Sequence, residues 1–112
     1  MTKNIMSKFV KIIVFVPVPD ADKIRKVLGD NGAGKLGDYS HTSYTTRGTG
    51  RFKPEKGADP AIGEVGKFEE TQEERIEVIA PIEKYLELVE KVKKAHPYEE
   101  PAIEVYDLLY PN

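Results

Sequence analysis

The segment KFVKIIVFVPV, residues 8–18, decides how the rest of the chain can be arranged. Its run of Val, Ile and Phe, which ends at prolines, is typical of a strand buried in the middle of a sheet. A strand of this kind is surrounded by other elements, because a single unpaired apolar strand cannot hide its side chains from water. We therefore predict that residues 8–18 form the central strand of a sheet.

The next segment, PDADKIRKVLGDNG, residues 19–32, predicts a helix that packs on this strand. Asp20 or Asp22 is expected to cap its start with a side-chain oxygen, and Gly32 suits the left-handed residue that ends a helix. The apolar residues recur at helical spacing and form one stripe: Ala21, Ile24, Val27 and Leu28.

The middle of the chain predicts two strands and a long loop. DYSHTSYTTRG, residues 38–48, alternates in β-prone residues and predicts a half-buried strand that contains Tyr39 and His41. Gly48 and Gly50 are expected to bracket a turn or bulge, and RFKP, residues 51–54, to form a short strand. EKGADPAIGEVG, residues 55–66, has four helix- and strand-breaking residues and predicts a loop.

The last third of the chain predicts a strand, a helix and a strand. FEETQEERIEVIA, residues 68–80, alternates at its end, and Pro81 suits the first position of the helix that follows. AIEVYDLLY, residues 102–110, alternates again and predicts the closing strand. The helix between them is expected to bury one apolar face: Ile82, Tyr85, Leu86, Val89 and Val92.

This order of elements predicts an α+β, ferredoxin-like fold (split βαβ, βαββαβ), in which two helices cover one face of an antiparallel sheet. Residues 1–8 are expected to be a flexible tail and residues 9–112 a single domain. The other face of the sheet would stay bare, and an uncovered face that carries aromatic residues favours self-association. The aromatic residues expected there are Tyr39, Tyr44, Phe52 and Tyr106.

Charge and composition exclude several classes of protein. The 17 basic and 19 acidic residues give a net charge of −2, so we expect no nucleic-acid partner. The apolar run of residues 12–19 is too short to span a membrane, and we expect a cytoplasmic protein. The chain has no cysteine, which excludes disulfides, thiolate metal sites and a cysteine nucleophile.

The segment GAGKLG matches the glycine pattern of dinucleotide-binding loops at Gly32, Gly34 and Gly37. Such a loop binds phosphate where a strand ends and a helix begins. Here the glycines follow a predicted helix and lead into a strand, so we interpret them as a tight turn. Ser40 and Ser43 have no obvious His–Asp partner order, so no serine nucleophile is expected.

The segment HPYEEP, residues 96–101, is the strongest candidate for a binding site. His96, Glu99 and Glu100 are donors that zinc or manganese could use, provided that His41 or a neighbouring subunit completes the site. Glu99 and Glu100 are adjacent, and on an extended chain their side chains would point to opposite sides.

The structural alternative for the same segment is an ordinary connection between a helix and a strand. In that interpretation Pro97 ends the helix, Tyr98 packs against the protein and Pro101 begins an edge strand. The glutamates would then bind backbone N–H groups or arginines, and no ligand would be involved.

Taken together, residues 9–109 resemble the inserted domain of the Nif-three-like (NGG-interacting factor three) family. The resemblance is carried by GAGKLGDYSHTSYTTRGTGRFKPEKGADPAIGEVGKFEE, ERIEVIAP and HPYEEPAIEVYDL, in that order. That inserted domain is similar to PII signalling proteins and to CutA proteins, which are ferredoxin-like trimers, and CutA has a similar His-x-Tyr-Glu-x-Pro stretch. Thr42 stands where many members have cysteine, and the dimetal domain that flanks the insert is absent.

The resemblance implies a stand-alone, PII- or CutA-like module of uncharacterised function. Our first expectation is a non-enzymatic homo-oligomer, a trimer rather than a dimer by resemblance, that binds a small ligand or a divalent metal ion at a subunit junction. Two alternatives stay open. One is a metal-dependent enzyme of unknown reaction, and the other is a purely structural or protein-interaction module.

Overall fold

A computed structural model describes residues 8–110 of the chain. The helices and strands, in chain order, are β1 (Phe9–Pro17), α1 (Ala21–Asp30), β2 (Tyr44–Phe52), β3 (Glu69–Pro81), α2 (Tyr85–Ala95) and β4 (Ile103–Leu108). One turn of 3-10 helix precedes each α-helix, at Val18–Asp20 and at Ile82–Lys84. The predicted tail, residues 1–8, lies outside the described residues except for Lys8, whose carbonyl accepts a hydrogen bond from the Ile82 N–H at 2.9 Å.

The strands form one antiparallel sheet in the order β2-β3-β1-β4. This is the predicted α+β, ferredoxin-like arrangement, and β1 occupies the central position predicted from its apolar run. In the register of the sheet, Phe9 lies opposite Pro81 of β3 on one side and opposite Leu108 of β4 on the other. The start of β1 and the end of β4 are therefore neighbours.

The hydrophobic core lies between the sheet and the two helices. The predicted stripe of α1 is confirmed, since Ala21, Ile24 and Leu28 are fully buried and Val27 packs beside them. In α2 the prediction was partly wrong: Leu86 is 66% exposed, whereas Leu88 is buried. The 3-10 turn delays the start of α2 to Tyr85, which rotates the apolar face relative to a helix that starts at Pro81.

The ends of α1 follow the sequence only in part. Asp20 occupies the N-cap position, but its side chain makes no capping hydrogen bond, contrary to the prediction. The preceding 3-10 turn already provides a partner, because the Ala21 N–H donates to the Val18 carbonyl. Gly32 has a φ of 102°, the left-handed conformation predicted for the residue that ends the helix.

Strand β2 differs from its prediction at both ends. It begins at Tyr44, so Tyr39 and His41 lie in the preceding loop and not in the sheet. Gly48 and Gly50 lie inside β2 in unbroken pairing with β3, and no turn or bulge occurs there. Residues 51 and 52 are the end of this strand rather than a separate one, and residues 55–66 form a loop as predicted.

The hairpin of β2 and β3 extends beyond the part of the sheet that the helices cover. Residues 69–72 of β3 pair only with β2, because β1 ends opposite Glu73. The described part of the chain is correspondingly elongated, measuring 56 × 32 × 23 Å. Its radius of gyration is 15.9 Å, against about 13 Å for a compact domain of this length.

The face of the sheet without helices is polar at its edges. Ile13 at its centre is only 1% exposed. Its cross-strand partner Glu77 forms salt bridges with Lys11 and Arg75, each with a nitrogen-to-oxygen distance of 3.7 Å. Tyr44 and Tyr106 are 70% and 53% exposed on this face, so two of the four aromatic residues predicted there are available for contact.

A partly buried ion pair fixes α1 to the sheet, and no pattern of residues predicted it. Glu74 of β3 is 6% exposed and accepts hydrogen bonds from Arg25 at 2.6 Å and from Arg47 at 3.1 Å. The hydrogen bond from Arg25 holds the pKa of the Glu74 carboxyl below its usual value.

None of the helices in the described residues is long and apolar enough to cross a bilayer.

Candidate functional site

The His96 segment, residues 96–101, leads from α2 to β4 and starts with a buried histidine. His96 is 7% exposed, and its Nε2 donates to the Phe15 carbonyl at 2.7 Å. Its Nδ1 accepts the Tyr98 N–H at 3.0 Å, which assigns the Nε2–H tautomer. Burial lowers the pKa of the His96 imidazole. Both ring nitrogens are therefore occupied by the chain's own backbone.

Tyr98 connects the His96 segment to the sheet. Its hydroxyl donates to Glu73 Oε2 at 2.9 Å, and its ring lies 5.9 Å from Phe52 and 5.0 Å from His96 between centroids. Burial, followed by the hydrogen bond to Glu73, raises the pKa of the Tyr98 phenol to about 12. The structural prediction that Tyr98 packs against the protein agrees with these contacts.

Glu73 reaches Tyr98 because Gly50 leaves room for it. A Cβ atom added at Gly50 would lie 2.3–2.8 Å from the Glu73 carboxylate. At Gly48, on the same face of the same strand, an added Cβ would have no neighbour within 4 Å. The side chain that Gly50 lacks is thus replaced by the carboxylate of the next strand, a close approach that glycine in a strand permits.

A cavity of about 410 Å³ lies between the His96 segment and the hairpin. Its walls include Phe15, Phe52, Tyr98, Glu73, Glu99 and Glu100. Glu99 and Glu100 both border this cavity, and residues 97–100 form bends instead of the extended chain assumed in the prediction. The Glu99 carboxylate also accepts the Asp59 N–H at 3.0 Å, which ties the hairpin loop to the segment.

His41 lies in a different place, in the loop of residues 31–43 that joins α1 to β2 and is called here the His41 loop. Gly34 holds this loop closed: its N–H donates to the Ile79 carbonyl at 2.7 Å. Its own carbonyl accepts the Thr42 N–H at 3.0 Å and the Thr42 hydroxyl at 2.7 Å. Gly32, Gly34 and Gly37 all have positive φ, as the predicted tight turn requires.

His41 forms a hydrogen-bonded chain that the order of residues did not suggest. Its Nδ1 lies 2.9 Å from the Ser40 hydroxyl, and its Nε2 lies 2.9 Å from Asp30 Oδ1. The ring packs over Gly29, where an added Cβ would lie 2.1 Å from it. The hydrogen bond from His41 lowers the pKa of the Asp30 carboxyl. All three polar side chains are exposed, and we infer no serine nucleophile from this contact alone.

The two histidines of the predicted site are not brought together within one chain. His41 forms a hydrogen bond with Asp30 at the end of α1. His96 lies near the start of the same helix, where the charges of Asp20 and Lys23 affect the pKa of its imidazole. A helix of this length is about 15 Å long. Residues 8–110 contain no group of three or more His, Asp or Glu side chains that could hold a metal ion.

The cavity depends on residues that sequence reasoning did not select. Phe15 was assigned to the central strand, and Glu73 was one of five glutamates in a polar run. Gly50 was a detectable signal, since a glycine among β-prone residues marks a place where another group comes close. Pro97 follows the end of α2 at Ala95, as predicted, but the edge strand β4 begins at Ile103, two residues after Pro101.

The sequence of this chain is similar to part of larger curated proteins. It is 43% identical over 101 residues to a "GTP cyclohydrolase 1 type 2 homolog" of Mycobacterium tuberculosis, a match that covers 90% of this chain and 27% of that protein. It is 42% identical over 96 residues to the protein of the same name in Bacillus subtilis, covering 86% and 26%. The chain thus spans about a quarter of the length of these relatives. No protein-family model matches it.

Solved structures give the same result for the fold. The Bacillus cereus protein related to NIF3 superposes with a TM-score of 0.79 at 40% identity, covering 96% of this chain and 27% of that one. The divalent cation tolerance protein CutA of Archaeoglobus fulgidus superposes with a TM-score of 0.67 at 23% identity, covering 93% and 87%. This chain is therefore homologous to one segment of larger NIF3-related proteins and has the fold of CutA.

Proposed function

We propose that this chain is a non-enzymatic PII/CutA-like module of the Nif-three-like type, which self-associates and binds a small ligand in the cavity beside the His96 segment. The observation that carries the proposal is the cavity itself. Its volume of about 410 Å³ falls within the range of small-molecule sites. Glu99 and Glu100, two of the four residues expected to bind a ligand, border it.

The chemistry of the cavity supports binding rather than catalysis. A general acid or base works best when its pKa is close to the working pH and when it can reach the reacting group. The phenol of Tyr98, with a pKa of about 12, is a poor proton donor or acceptor near neutral pH. The neighbouring imidazole of His96 uses both nitrogens on backbone groups.

Self-association is supported by the apolar groups that the described residues leave exposed. Tyr44 and Tyr106 lie on the face of the sheet without helices, and Phe68 in the hairpin loop is 86% exposed. The same loop, residues 53–68, supplies part of the cavity wall. A neighbouring subunit that packs on this loop would therefore contact one wall of the cavity. The resemblance to PII and CutA proteins favours a trimer over a dimer.

Native mass spectrometry of protein purified without a chelator tests both halves of the proposal. We expect an oligomer at micromolar concentration, with a bound mass that identifies the ligand if it survives purification. A monomer under these conditions would contradict the junction part of the proposal.

Two-dimensional NMR with a library of small fragments tests the cavity independently of any ligand that copurifies. We expect amide shifts at residues 51–62 and 98–102, which form the two sides of the cavity. The His41 loop serves as an internal control, because it shares no residue with the cavity wall. Fragments that shift both regions equally, or neither, would contradict a ligand site at this place.

A further inference from the structure

We infer that the cavity beside the His96 segment selects an organic cation, an amine with an apolar body. This inference rests on the proposed function and specifies the ligand class of the same site. It comes from two properties of the cavity wall taken together: carboxylates that have no cationic partner among residues 8–110, and aromatic rings that line the same wall.

Three carboxylates of the wall form no ion pair in the described residues: Glu73, Glu99 and Glu100. Glu73 accepts a hydrogen bond from the neutral Tyr98 phenol, and Glu99 accepts one from a backbone N–H. These are neutral donors, so the negative charge of the group is not balanced by them. Carboxylates that border one cavity give it a negative potential, which favours a cation over an anion as its ligand.

The two cationic side chains of the wall already pair with carboxylates, Arg51 with Glu70 outside the wall and Lys53 with Glu55 inside it. Arg51 Nη2 lies 2.5 Å from Glu70 Oε1, on the neighbouring strand. Lys53 Nζ lies 3.6 Å from Glu55 and 5.3 Å from the centre of the Phe68 ring. An anionic ligand would have to compete with these contacts, and it would also meet the three unpaired carboxylates.

The aromatic part of the wall explains why the cation should be organic. Phe52 of the hairpin and Tyr98 of the His96 segment both line the cavity, and their rings contact each other with centroids 5.9 Å apart. Aromatic rings attract cations through their negatively charged faces and also bury apolar groups. A metal ion would leave these rings without a role, and the described residues hold no cluster of three metal ligands. A protonated amine that carries an apolar group would use both the rings and the carboxylates.

Three probes of nearly the same shape test this inference: the 2-phenylethylammonium cation, the 3-phenylpropionate anion and neutral 2-phenylethanol. Their dissociation constants can be measured by NMR titration of the amides of residues 51–62 and 98–102. We expect the cation to bind most tightly and the anion most weakly. We also expect the preference for the cation to shrink when salt is raised to about 1 M, because salt screens exposed charges.

A pair of variants tests whether the cavity carboxylates cause the preference. Glu100→Gln removes one negative charge from the wall, whereas Glu87→Gln removes the same charge from an exposed position on α2. We expect Glu100→Gln to raise the dissociation constant of the cation roughly two- to fivefold, the range typical of partly exposed ion pairs. The dissociation constant of 2-phenylethanol should stay unchanged. Glu87→Gln should change neither constant. Because Glu100 is exposed, this substitution should not impair folding.

The outcomes separate this inference from the proposed function. If the anion or the neutral alcohol binds in the cavity as tightly as the cation, the preference for a cation is overturned while the ligand site remains. An equal loss of cation affinity in Glu100→Gln and Glu87→Gln would overturn it too, since the attraction would then come from overall charge. If no probe shifts the cavity amides, both the inference and the binding part of the proposed function are overturned.

Discussion

The His41 loop and the His96 segment contain similar residues, but different contacts hold them in place. Each follows a helix, contains one histidine and uses both ring nitrogens of that histidine for hydrogen bonds. The His41 loop closes on its own backbone through Gly34 and Thr42, and its histidine is exposed. The His96 segment buries its histidine against β1 and turns its glutamates toward a cavity.

This difference shows that residue type alone does not create a cavity. The polar side chains of the His41 loop are arranged around glycines at positive φ, and they bind each other in solvent. Those of the His96 segment lie where a projecting hairpin faces the end of a helix, which leaves a space that protein atoms do not fill. Substitutions at four positions test this contrast, and they are given from the largest expected effect on stability to the smallest.

The largest effect is expected from Gly34→Ala in the His41 loop. Gly34 has a φ of 79°, and a Cβ there would lie 2.3 Å from the Thr42 carbonyl oxygen. Left-handed backbone and a clash with main chain together should cost about 3 kcal/mol of unfolding free energy. Gly37→Ala is the matched control, because its φ is 55° but its Cβ would have no neighbour within 4 Å. The control should lose about 1 kcal/mol in urea denaturation, and equal losses would show that Thr42 does not restrict the loop.

The second effect is expected from His96→Gln, which removes the buried imidazole. Losing its bonds to the Phe15 carbonyl and the Tyr98 N–H should cost about 2 kcal/mol at pH 7.5. The folded-state pKa of His96 is lowered, so the unfolded state takes up the proton first. Its contribution to stability is therefore complete above the ordinary histidine pKa of about 6.5 and declines as the pH falls below it.

Urea denaturation of both proteins between pH 8 and pH 5 checks this sign. The stability difference between wild type and His96→Gln should shrink toward pH 5, because only the wild type loses the contribution of a neutral His96. A difference that grows on acidification would mean that the folded protein prefers the charged imidazole, opposite to the effect of burial.

A smaller effect is expected when His41 is replaced by glycine and, separately, by alanine. His41 has a φ of 59°, which glycine adopts without strain and alanine does not. Both variants lose the same exposed hydrogen bonds to Ser40 and Asp30. We expect the glycine variant to be more stable than the alanine variant by about 1 kcal/mol, measured by thermal or urea denaturation. Equal stabilities would show that the backbone at His41 relaxes when the ring is removed.

The smallest effect on stability is expected from Gly50→Ala, but it should uncouple Tyr98 from Glu73. The new Cβ would displace the flexible carboxylate, whereas Gly48→Ala meets nothing. Tyr98→Phe should cost about 1 kcal/mol in the Gly48→Ala background, since it removes one hydrogen bond. In the Gly50→Ala background the same change should cost close to nothing. The same cost in both backgrounds would mean that Glu73 keeps its contact without the space above Gly50.

Local patterns predicted most of the fold because the buried residues follow the spacing of an α-helix or the pattern of a β-strand. The apolar run of residues 9–17 had to be central, and the spacing of Ala21, Ile24 and Leu28 fixed the buried side of α1. The errors in assigning Leu86 and the start of β2 arose because an adjacent turn or loop changed the path of the chain. Leu86 was misplaced because a 3-10 turn changes the phase of α2, and the start of β2 was misplaced because glycines at positive φ hold residues 38–43 away from the sheet.

Of the candidate site, only the segment HPYEEP was predicted from the sequence. Its walls come from residues distant in the sequence, since Phe15 and Glu73 lie about 25 to 80 positions away from Tyr98. Which carboxylates lack a cationic partner is likewise a property of the folded chain. Glu73 and Glu74 are adjacent, but one is turned to the cavity and the other is buried against Arg25.

The pairing of Phe9 with Leu108 has a consequence for engineering the chain. Opposite residues on antiparallel strands are about 5 Å apart, so a linker of a few residues could join the two ends of the sheet. A circular permutant made in this way could be opened in the loop of residues 55–66, which is outside every helix and strand. Cutting there would leave the core intact while freeing one wall of the cavity from the other, so that the proposed ligand binding could be switched off without unfolding the protein.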